Sequence, residues 1–359
     1  MNKLLAPYNK GSLQLKNHLV MAPMTRSRAI NNLPNGLMAE YYAQRSGAGL
    51  IITEGTAPSP DSLGYSRIPG IFSQEQTTAW KVITDAVHAQ GSQIFLQLMH
   101  TGRIGHPANL PKGGRLVGPS NIKAAGEIWT DTLGNQAYPE PEALTADGIK
   151  AVIADHVNAA RNAIAAGFDG VELHGANGYL VEQFLNPHVN NRKDAYGGSV
   201  GNRARLPIRI VEEIAAAIGA DKVGVRFSPF STLGDLQPYA EQEVYDTYAL
   251  LAMELNKIGI AYLHIGVSAI IPQKTYDAIR AGFTGTIILC NGLTPGTAEA
   301  ALNNGFADLV AFGRAFLANP DLDKRIATGA ALNAPDFNTL YTPGPLGYTD
   351  YPEYEESHV

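Results

Sequence analysis

Five polar residues at or near the ends of short apolar runs have side chains suited to binding a small molecule. His174 and Asn177 lie three residues apart, Gln97 and His100 belong to an earlier run, and Arg226 interrupts a later one. Hydrogen-bond donors outnumber carboxylates at these positions. A glycosidase needs two facing carboxylates, and a metal hydrolase needs a cluster of ligands with an open coordination position. The pattern favours neither class and indicates no metal site.

Each of these residues also has a structural interpretation. A buried guanidinium is costly unless it meets an anion or several acceptors, so Arg226 binds either a ligand or an internal salt-bridge partner. His100 and Gln97 are alternatively hydrogen-bonded residues of the core. His174 and Asn177, taken alone, fit a structural role equally well.

The apolar runs alternate with segments of helical pattern or composition. Alternating strands and helices imply a parallel sheet, and eight such units predict a closed (β/α)8 barrel. A doubly wound sheet is the main alternative, but the sequence contains neither G-x-G-x-x-G nor G-x-x-x-x-G-K-S/T. The predicted strands are 19–24, 50–54, 93–100, 170–174, 223–227, 261–265, 286–291 and 309–313, and the predicted helices include 74–90, 146–166, 203–218, 241–257 and 297–304.

The chain is longer than a barrel requires. A (β/α)8 barrel takes about 250 residues, and the chain has 359. We assign the remainder to residues 1–18, with a hairpin turn at 8–11, to an insertion at 101–144 after the third strand, and to the tail from 330. No low-complexity linker divides the chain, so we expect a single domain over 1–359. Pro207 predicts a helix start or a kink inside 203–218.

Composition limits the class of protein. The chain is 45% hydrophobic and 17% charged, with a formal net charge of −6 and one cysteine, Cys290. An internal disulfide, a four-thiolate cluster and a cysteine-rich zinc site are therefore excluded. The sequence contains no apolar run of membrane-spanning length and no basic block. We expect a cytoplasmic protein with small-molecule partners and no nucleic-acid or membrane partner.

Glycines near the ends of the last two runs indicate a phosphate site. Gly292 follows the seventh run, and Gly313 with Arg314 follows the eighth. In barrels, the loops after strands seven and eight often bind phosphate through backbone N–H groups. The sequence therefore predicts a phosphorylated ligand, unless these glycines only turn the chain.

One long motif resembles the old yellow enzyme family of flavin-dependent ene-reductases. It begins with His174-Gly-Ala-Asn177-Gly-Tyr179 and continues through Asn186-Pro187, Asn190-Asn191-Arg192, Tyr196-Gly197-Gly198-Ser199 and Asn202-Arg203. The likeness extends from Ala22-Pro23-Met24-Thr25-Arg26 to Gly347-Tyr348 and so covers nearly the whole chain. It implies a barrel that binds FMN non-covalently, NADPH or NADH as the reductant, and a monomer or homodimer.

The resemblance assigns cofactor-binding roles to nine residues. Thr25 matches the residue that hydrogen-bonds the flavin C4 carbonyl, and Gln97 and Arg226 match the groups at the pyrimidine edge. A permanent guanidinium charge stabilises the anion that a reduced flavin becomes. The phosphate cradle matches Gly292, Gly313 and Arg314, and the backbone neighbours of the ring match Ala22, Pro23 and Gly55.

The resemblance also assigns the chemistry. His174 and Asn177 match the pair that donates hydrogen bonds to a substrate carbonyl or nitro oxygen, and Tyr179 matches the acid that protonates the α-carbon. Tyr65 and Tyr348 match residues of the substrate pocket, and Met99 replaces a tryptophan found there in several relatives. The implied activity is ping-pong reduction of activated C=C bonds in enals, enones, maleimides or nitroalkenes. The alternatives are a flavin-free barrel lyase or isomerase acting on a phosphorylated metabolite, and a ligand-binding barrel without turnover.

Overall fold

Eight parallel strands close into a barrel in the computed structural model, which describes residues 3–266, 271–290 and 292–355. Each strand pairs with the next in chain order, and the eighth pairs with the first to close the barrel. The predicted (β/α)8 barrel is confirmed; the predicted end of strand seven, Asn291, lies outside the described residues. The strands are Leu19–Met21, Leu50–Ile52, Gln93–Leu98, Gly170–Gly175, Val223–Phe227, Tyr262–Gly266, Thr286–Cys290 and Leu309–Phe312.

Alternate residues of the strands fill the barrel interior. Because successive side chains of a strand point to opposite faces, every second residue points inward. Val20, Phe95, Tyr262 and Ile288 belong to one buried cluster with other inward residues. A Cβ atom at Gly224 would collide with the ring of Tyr262. The large Tyr262 ring therefore requires a glycine on the neighbouring strand.

An N-terminal hairpin packs against one end of the barrel. Strands Tyr8–Lys10 and Leu13–Leu15 pair antiparallel around Gly11, which has a left-handed φ of 60°. Leu13 and Leu15 are buried in the same cluster as the barrel interior. The hairpin predicted at 8–11 is thus confirmed, with its turn a few residues later than expected.

Ten α-helices accompany the strands among the described residues, and the five predicted ones are all present. Side chains cap several of their N-termini: Ser73 and Gln76 form a capping box, and Thr145 and Ser199 each accept a bond from a backbone N–H. Pro207 lies within a continuous helix rather than at its start. The helices are α1 (Gly36–Gln44), α2 (Gln74–His88), α3 (Ala146–Ala165), α4 (Leu180–Leu185), α5 (Val200–Ile218), α6 (Glu241–Ile258), α7 (Gln273–Gly282), α8 (Pro295–Asn303), α9 (Arg314–Ala318) and α10 (Leu322–Thr328).

The insertion after the third strand contains a second hairpin. Its strands, Glu127–Thr130 and Gly134–Ala137, pair antiparallel, and we call residues 127–137 the cap hairpin. A short parallel pair, Val117–Gly118 with Glu142–Ala143, lies at its base. Within the described ranges, no helix has both the length and the apolar character needed to cross a lipid bilayer.

Candidate active site

A tight turn after the fourth strand presents the residues of the central motif. Asn177 and Gly178 both adopt left-handed backbone conformations, with φ of 60° and 83°. The backbone N–H of Asn177 donates to Ser228 Oγ at 2.9 Å, which ties the turn to the fifth strand. Tyr179 then caps α4. The turn places His174, Asn177 and Tyr179 together at the carboxyl end of the barrel, where barrel enzymes have their active sites.

Hydrogen bonding fixes the tautomer of His174. Its Nδ1 accepts a bond from the backbone N–H of Ala176 at 3.2 Å, so the ring proton of the neutral form lies on Nε2. Burial, together with the nearby charge of Arg226, lowers the pKa of His174 well below its ordinary value. His174 is therefore a neutral hydrogen-bond donor at physiological pH.

Tyr179 lies between His174 and Tyr65. Its ring meets that of His174 edge-on with centroids 4.9 Å apart, and its hydroxyl lies 3.2 Å from the Tyr65 hydroxyl. Burial raises the pKa of Tyr179 to about 12. The phenol therefore keeps its proton across the physiological range and is a competent acid.

A buried carboxyl supports this turn from behind. Glu182 accepts bonds from the Gly178 backbone N–H at 2.7 Å, from Ser228 Oγ at 2.9 Å and from the Tyr248 hydroxyl at 3.3 Å. Burial raises the pKa of Glu182 to about 8, although these three donors oppose the shift. Glu182 and Ser228 together brace the backbone that presents Asn177.

Arg226 lies between His174 and His264 in the register of the barrel strands. It is 5% exposed, and its Nε atom has no hydrogen-bond partner among the described residues. Its Nη2 atom lies 3.8 Å from Cys290 Sγ, a weak acceptor. A buried guanidinium with unused donors is suited to a ligand that carries electron-rich oxygen or nitrogen atoms. The alternative of an internal salt bridge for Arg226 has no support in its hydrogen bonds.

A charged network lies next to Arg226 inside the barrel. Gln97 Nε2 donates to Glu172 Oε1, and Glu172 Oε2 meets His264 Nδ1, each at 2.8 Å. Burial works to raise the pKa of Glu172, but the His264 partner lowers it overall. Since a carboxylate only accepts hydrogen bonds, Glu172 fixes which end of the Gln97 amide faces it.

The residues predicted to hold phosphate lie on adjacent strand ends. Strands seven and eight are neighbours; Gly292 comes two residues after the end of strand seven, and Gly313 directly follows strand eight. Gly292 has a φ of 68°, and no heavy atom lies within 4 Å of the position that a Cβ atom would take. Gly313 precedes α9, which begins at the exposed Arg314. The two glycines thus lie at or just after the ends of neighbouring strands, and the space at Gly292 is open.

The remaining predicted cofactor neighbours lie at the ends of the first two strands. Ala22 is buried, and Pro23 and Thr25 are partly exposed. Gly55 is glycine for a reason of space, because a Cβ atom there would collide with the sulfur of Met99. Met99 is 1% exposed and packs beneath Tyr65 and Tyr179.

A cavity of about 720 Å³ opens beside Tyr179. Its walls come from the loops after strands one, two and four, the cap hairpin and the segment 337–343. This volume lies within the range of small-molecule sites. Aromatic side chains account for much of the lining: Tyr65, Trp129, Tyr138, Tyr179, Phe337 and Tyr341.

The predicted pocket residues occupy different places. Tyr65 lines the cavity as expected, whereas Met99, His174 and Asn177 lie outside its lining. Tyr348 also departs from the expectation, because it is fully buried and stacks on Tyr41 at 4.0 Å.

The stack that holds Tyr348 belongs to a buried anchor for the C-terminal segment. Arg26 and Arg28 contact the Tyr348 ring, at 5.1 and 4.8 Å from its centroid. Arg28 also donates to the carbonyls of Thr339 at 2.8 Å and Leu346 at 2.9 Å. Tyr348 therefore acts behind the pocket, where it helps to anchor the wall formed by residues 341–343.

His100 belongs to the supporting structure. Its Nδ1 accepts from the Gly102 N–H at 3.1 Å, and its carbonyl accepts from Leu180 N–H at 3.0 Å. Burial lowers its pKa to about 3, with a smaller effect of nearby His156. The structural interpretation of His100 therefore has the better support.

Several residues of the site have no counterpart in the sequence analysis. Glu172 and His264 are polar residues within apolar strands, the same signal that identified Arg226. Glu182 lies four residues after Gly178 within the recognised motif. The cap hairpin carries no such signal, because only the fold brings its residues to Tyr179.

Comparison with known proteins identifies the family. Residues 3–333 match the model of the NADH:flavin oxidoreductase / NADH oxidase family. The chain is 42% identical to 12-oxophytodienoate reductase 1 of Oryza sativa subsp. japonica, over 98% of this chain and 93% of the relative. Morphinone reductase in complex with tetrahydroNAD superposes with a TM-score of 0.94 at 42% identity, over 99% of both chains. The old yellow enzyme homologue from Zymomonas mobilis gives 0.92 at 40% identity, over 97% of this chain and 99% of that one. With a complete barrel and a family match over most of its length, the chain belongs to the old yellow enzyme family of NAD(P)H:flavin oxidoreductases.

Proposed function

We propose that the chain is an FMN-dependent ene-reductase that uses NAD(P)H to reduce activated C=C bonds. The observation that carries the proposal is the arrangement after the fourth strand. A neutral histidine donor, an asparagine and a protonated tyrosine lie within six residues at the end of the fourth strand and on the turn after it, and the tyrosine lines a cavity of about 720 Å³. This set suits an alkene conjugated to an electron-withdrawing oxygen.

The residues around the barrel mouth fit FMN. Arg226 has unused donors for the electron-rich edge of the ring, and Gln97 stands beside it, oriented by Glu172. Gly292, Gly313 and Arg314 would hold the phosphate, and Thr25, with Ala22, Pro23 and Gly55, would border the ring. FMN, when bound, would supply the hydride chemistry that links NAD(P)H to the β-carbon of the acceptor.

His174 and Asn177 activate the acceptor. The Nε2–H of His174 and the side-chain amide of Asn177 donate hydrogen bonds to the carbonyl or nitro oxygen. Negative charge develops on that oxygen as the β-carbon is reduced, so donors placed there in advance stabilise the transition state. The fixed tautomer of His174 matters because only Nε2 carries a proton to donate.

Tyr179 supplies the proton. Its hydroxyl lies 3.2 Å from that of Tyr65, so a second hydroxyl shares its hydrogen bonding while the site awaits substrate. Transfer of the phenolic proton to the α-carbon completes reduction of the double bond. Because burial keeps the pKa of Tyr179 at about 12, the proton is present at neutral pH.

The same donors would bind the nicotinamide amide of NAD(P)H. Reductant and acceptor would then occupy one site in turn, which is the basis of a ping-pong mechanism.

An anaerobic visible spectrum tests the function. The protein, loaded with FMN, receives NADPH and then 2-cyclohexenone. We expect the flavin band to bleach and then recover. A protein that takes up no FMN, or whose reduced flavin is reoxidised by no enone or nitroalkene, would refute the proposal.

A further inference from the structure

The wall of the cavity carries a charge pattern that bears on substrate choice. Three of its lining side chains are of types that carry a charge at neutral pH: Arg67, Glu127 and Asp131. The lining contains one guanidinium and two carboxylates, so its formal charge is negative. No lysine or histidine belongs to the described lining.

The guanidinium of Arg67 is already occupied. Its Nε donates to the Ser27 carbonyl at 3.1 Å and its Nη2 to the Tyr341 carbonyl at 2.9 Å. Its Nη1 forms an ion pair with Asp131 of the cap hairpin, which also accepts a bond from Trp129 Nε1 at 3.1 Å. Arg67 thus joins three walls of the cavity; each of its three guanidinium nitrogens already donates one hydrogen bond, and its charge is paired with that of Asp131.

The rest of the lining favours flat, uncharged molecules. The faces and edges of Tyr65, Trp129, Tyr138 and Tyr341 surround the space next to Tyr179. Aromatic walls bind planar unsaturated groups well. A carboxylate that enters such a space loses water and finds no unpaired cation, which is costly.

We propose that the cavity selects uncharged aryl or polycyclic enones and discriminates against acceptors that carry a carboxylate, with Asp131 as the specificity-determining residue. The inference rests on the proposed function, since it assumes that acceptors occupy this cavity. Asp131 acts by neutralising Arg67, which would otherwise be an anion-binding site at the mouth.

A matched pair of acceptors tests the inference. Benzylideneacetone and its para-carboxylate derivative share the enone and the ring and differ mainly in charge. We expect wild type to favour the neutral compound in kcat/KM by about 2- to 5-fold, the range for partly exposed charges. Asp131→Asn leaves the charge of Arg67 unpaired. The preference for the neutral compound should therefore fall by a similar factor, and this change should be smaller at high salt.

Two further variants make the test specific. Glu127→Gln removes a lining charge without touching Arg67, so it should shift the ratio in the same direction but less. Asp61→Asn removes the acid of another arginine ion pair, that with Arg115, which lies outside the cavity. Asp61→Asn should leave the ratio where it is in wild type.

The outcomes separate this inference from the proposed function. Equal use of both compounds by wild type, or an unchanged ratio in Asp131→Asn, would overturn the charge selection while leaving the ene-reductase intact. If reduced enzyme reacts with no acceptor, the function itself fails. In that case the inference is tested by binding alone: the ratio of the dissociation constants of the two compounds for oxidised, FMN-loaded protein replaces the ratio of kcat/KM values.

Discussion

The Nδ1 atom of His174 accepts a hydrogen bond from the backbone N–H of Ala176 at 3.2 Å, and this bond leaves the ring proton on Nε2. The turn that follows the fourth strand therefore does more than position a histidine. It also selects the tautomer that can donate to a substrate oxygen.

Replacing His174 by alanine should weaken binding of ligands that carry a phenol or carbonyl oxygen. Loss of one donor costs about 1–3 kcal/mol when the partner oxygen is left unsatisfied, or roughly 5- to 150-fold in Kd. Spectral titration of FMN-loaded protein with a para-substituted phenol measures this change. The exposed His188 provides the control, since His188→Ala should bind as wild type does. An unchanged Kd in His174→Ala would remove His174 from the binding site.

Reduction of enones should be insensitive to pH from about 6 to 9. Burial raises the pKa of Tyr179 to about 12, so the phenol loses its proton only above that range. Burial also lowers the pKa of His174 well below 6.5, so the ring gains a proton only below it. Rates of flavin reoxidation by 2-cyclohexenone, measured by stopped flow at constant ionic strength, should form a plateau. A titration near pH 7 would assign the proton to another group.

Glu182 should make the protein less stable as pH rises. Burial raises its pKa to about 8 from an ordinary 4.5, so the folded protein holds a proton that the unfolded chain has lost. Between these values stability falls with increasing pH. Glu182→Gln removes the titration. The free energy of unfolding of Glu182→Gln minus that of wild type should therefore increase by about 2–4 kcal/mol between pH 5 and pH 8. Urea unfolding at several pH values measures the gain. A constant difference between the two proteins would contradict the assignment.

The fold was largely predictable because its signals are local. Eight buried strands give continuous apolar runs, and this pattern does not depend on the length or sequence of the loops. Pro207 shows a limit of such signals: a helix start there was one of the two expectations, but the helix begins earlier, at Val200, and includes the proline. Packing against the barrel evidently outweighs the local cost of the proline.

The site was predictable where one motif holds it together and not where distant segments meet. His174, Asn177 and Tyr179 lie within six residues of sequence. Arg67 and Asp131, by contrast, are 64 residues apart and meet only through the cap hairpin. Tyr348 was placed in the pocket because of its position in a recognised segment, whereas its ring is buried against Tyr41.

Two glycine substitutions test the packing of the barrel. In Gly224→Ala the new methyl group would collide with the Tyr262 ring inside the barrel, and overpacking of this kind costs about 1–3 kcal/mol or more. In Gly201→Ala, within α5, no heavy atom lies within 4 Å of the new carbon, and stability should rise by about 0.4–1 kcal/mol. Thermal or urea unfolding compares them. Equal effects would show that the barrel interior has room that the structure does not indicate.

We propose Tyr179 as the acid of the oxidative half-reaction, in a site that both substrates share. The most direct test is stopped flow on Tyr179→Phe, with flavin reduction by NADPH and reoxidation by 2-cyclohexenone followed separately. Loss of a positioned proton donor should slow reoxidation by about 10²- to 10⁴-fold, while reduction by NADPH changes little because it requires no proton from Tyr179. Equal slowing of both half-reactions, or reoxidation at the wild-type rate, would contradict the account.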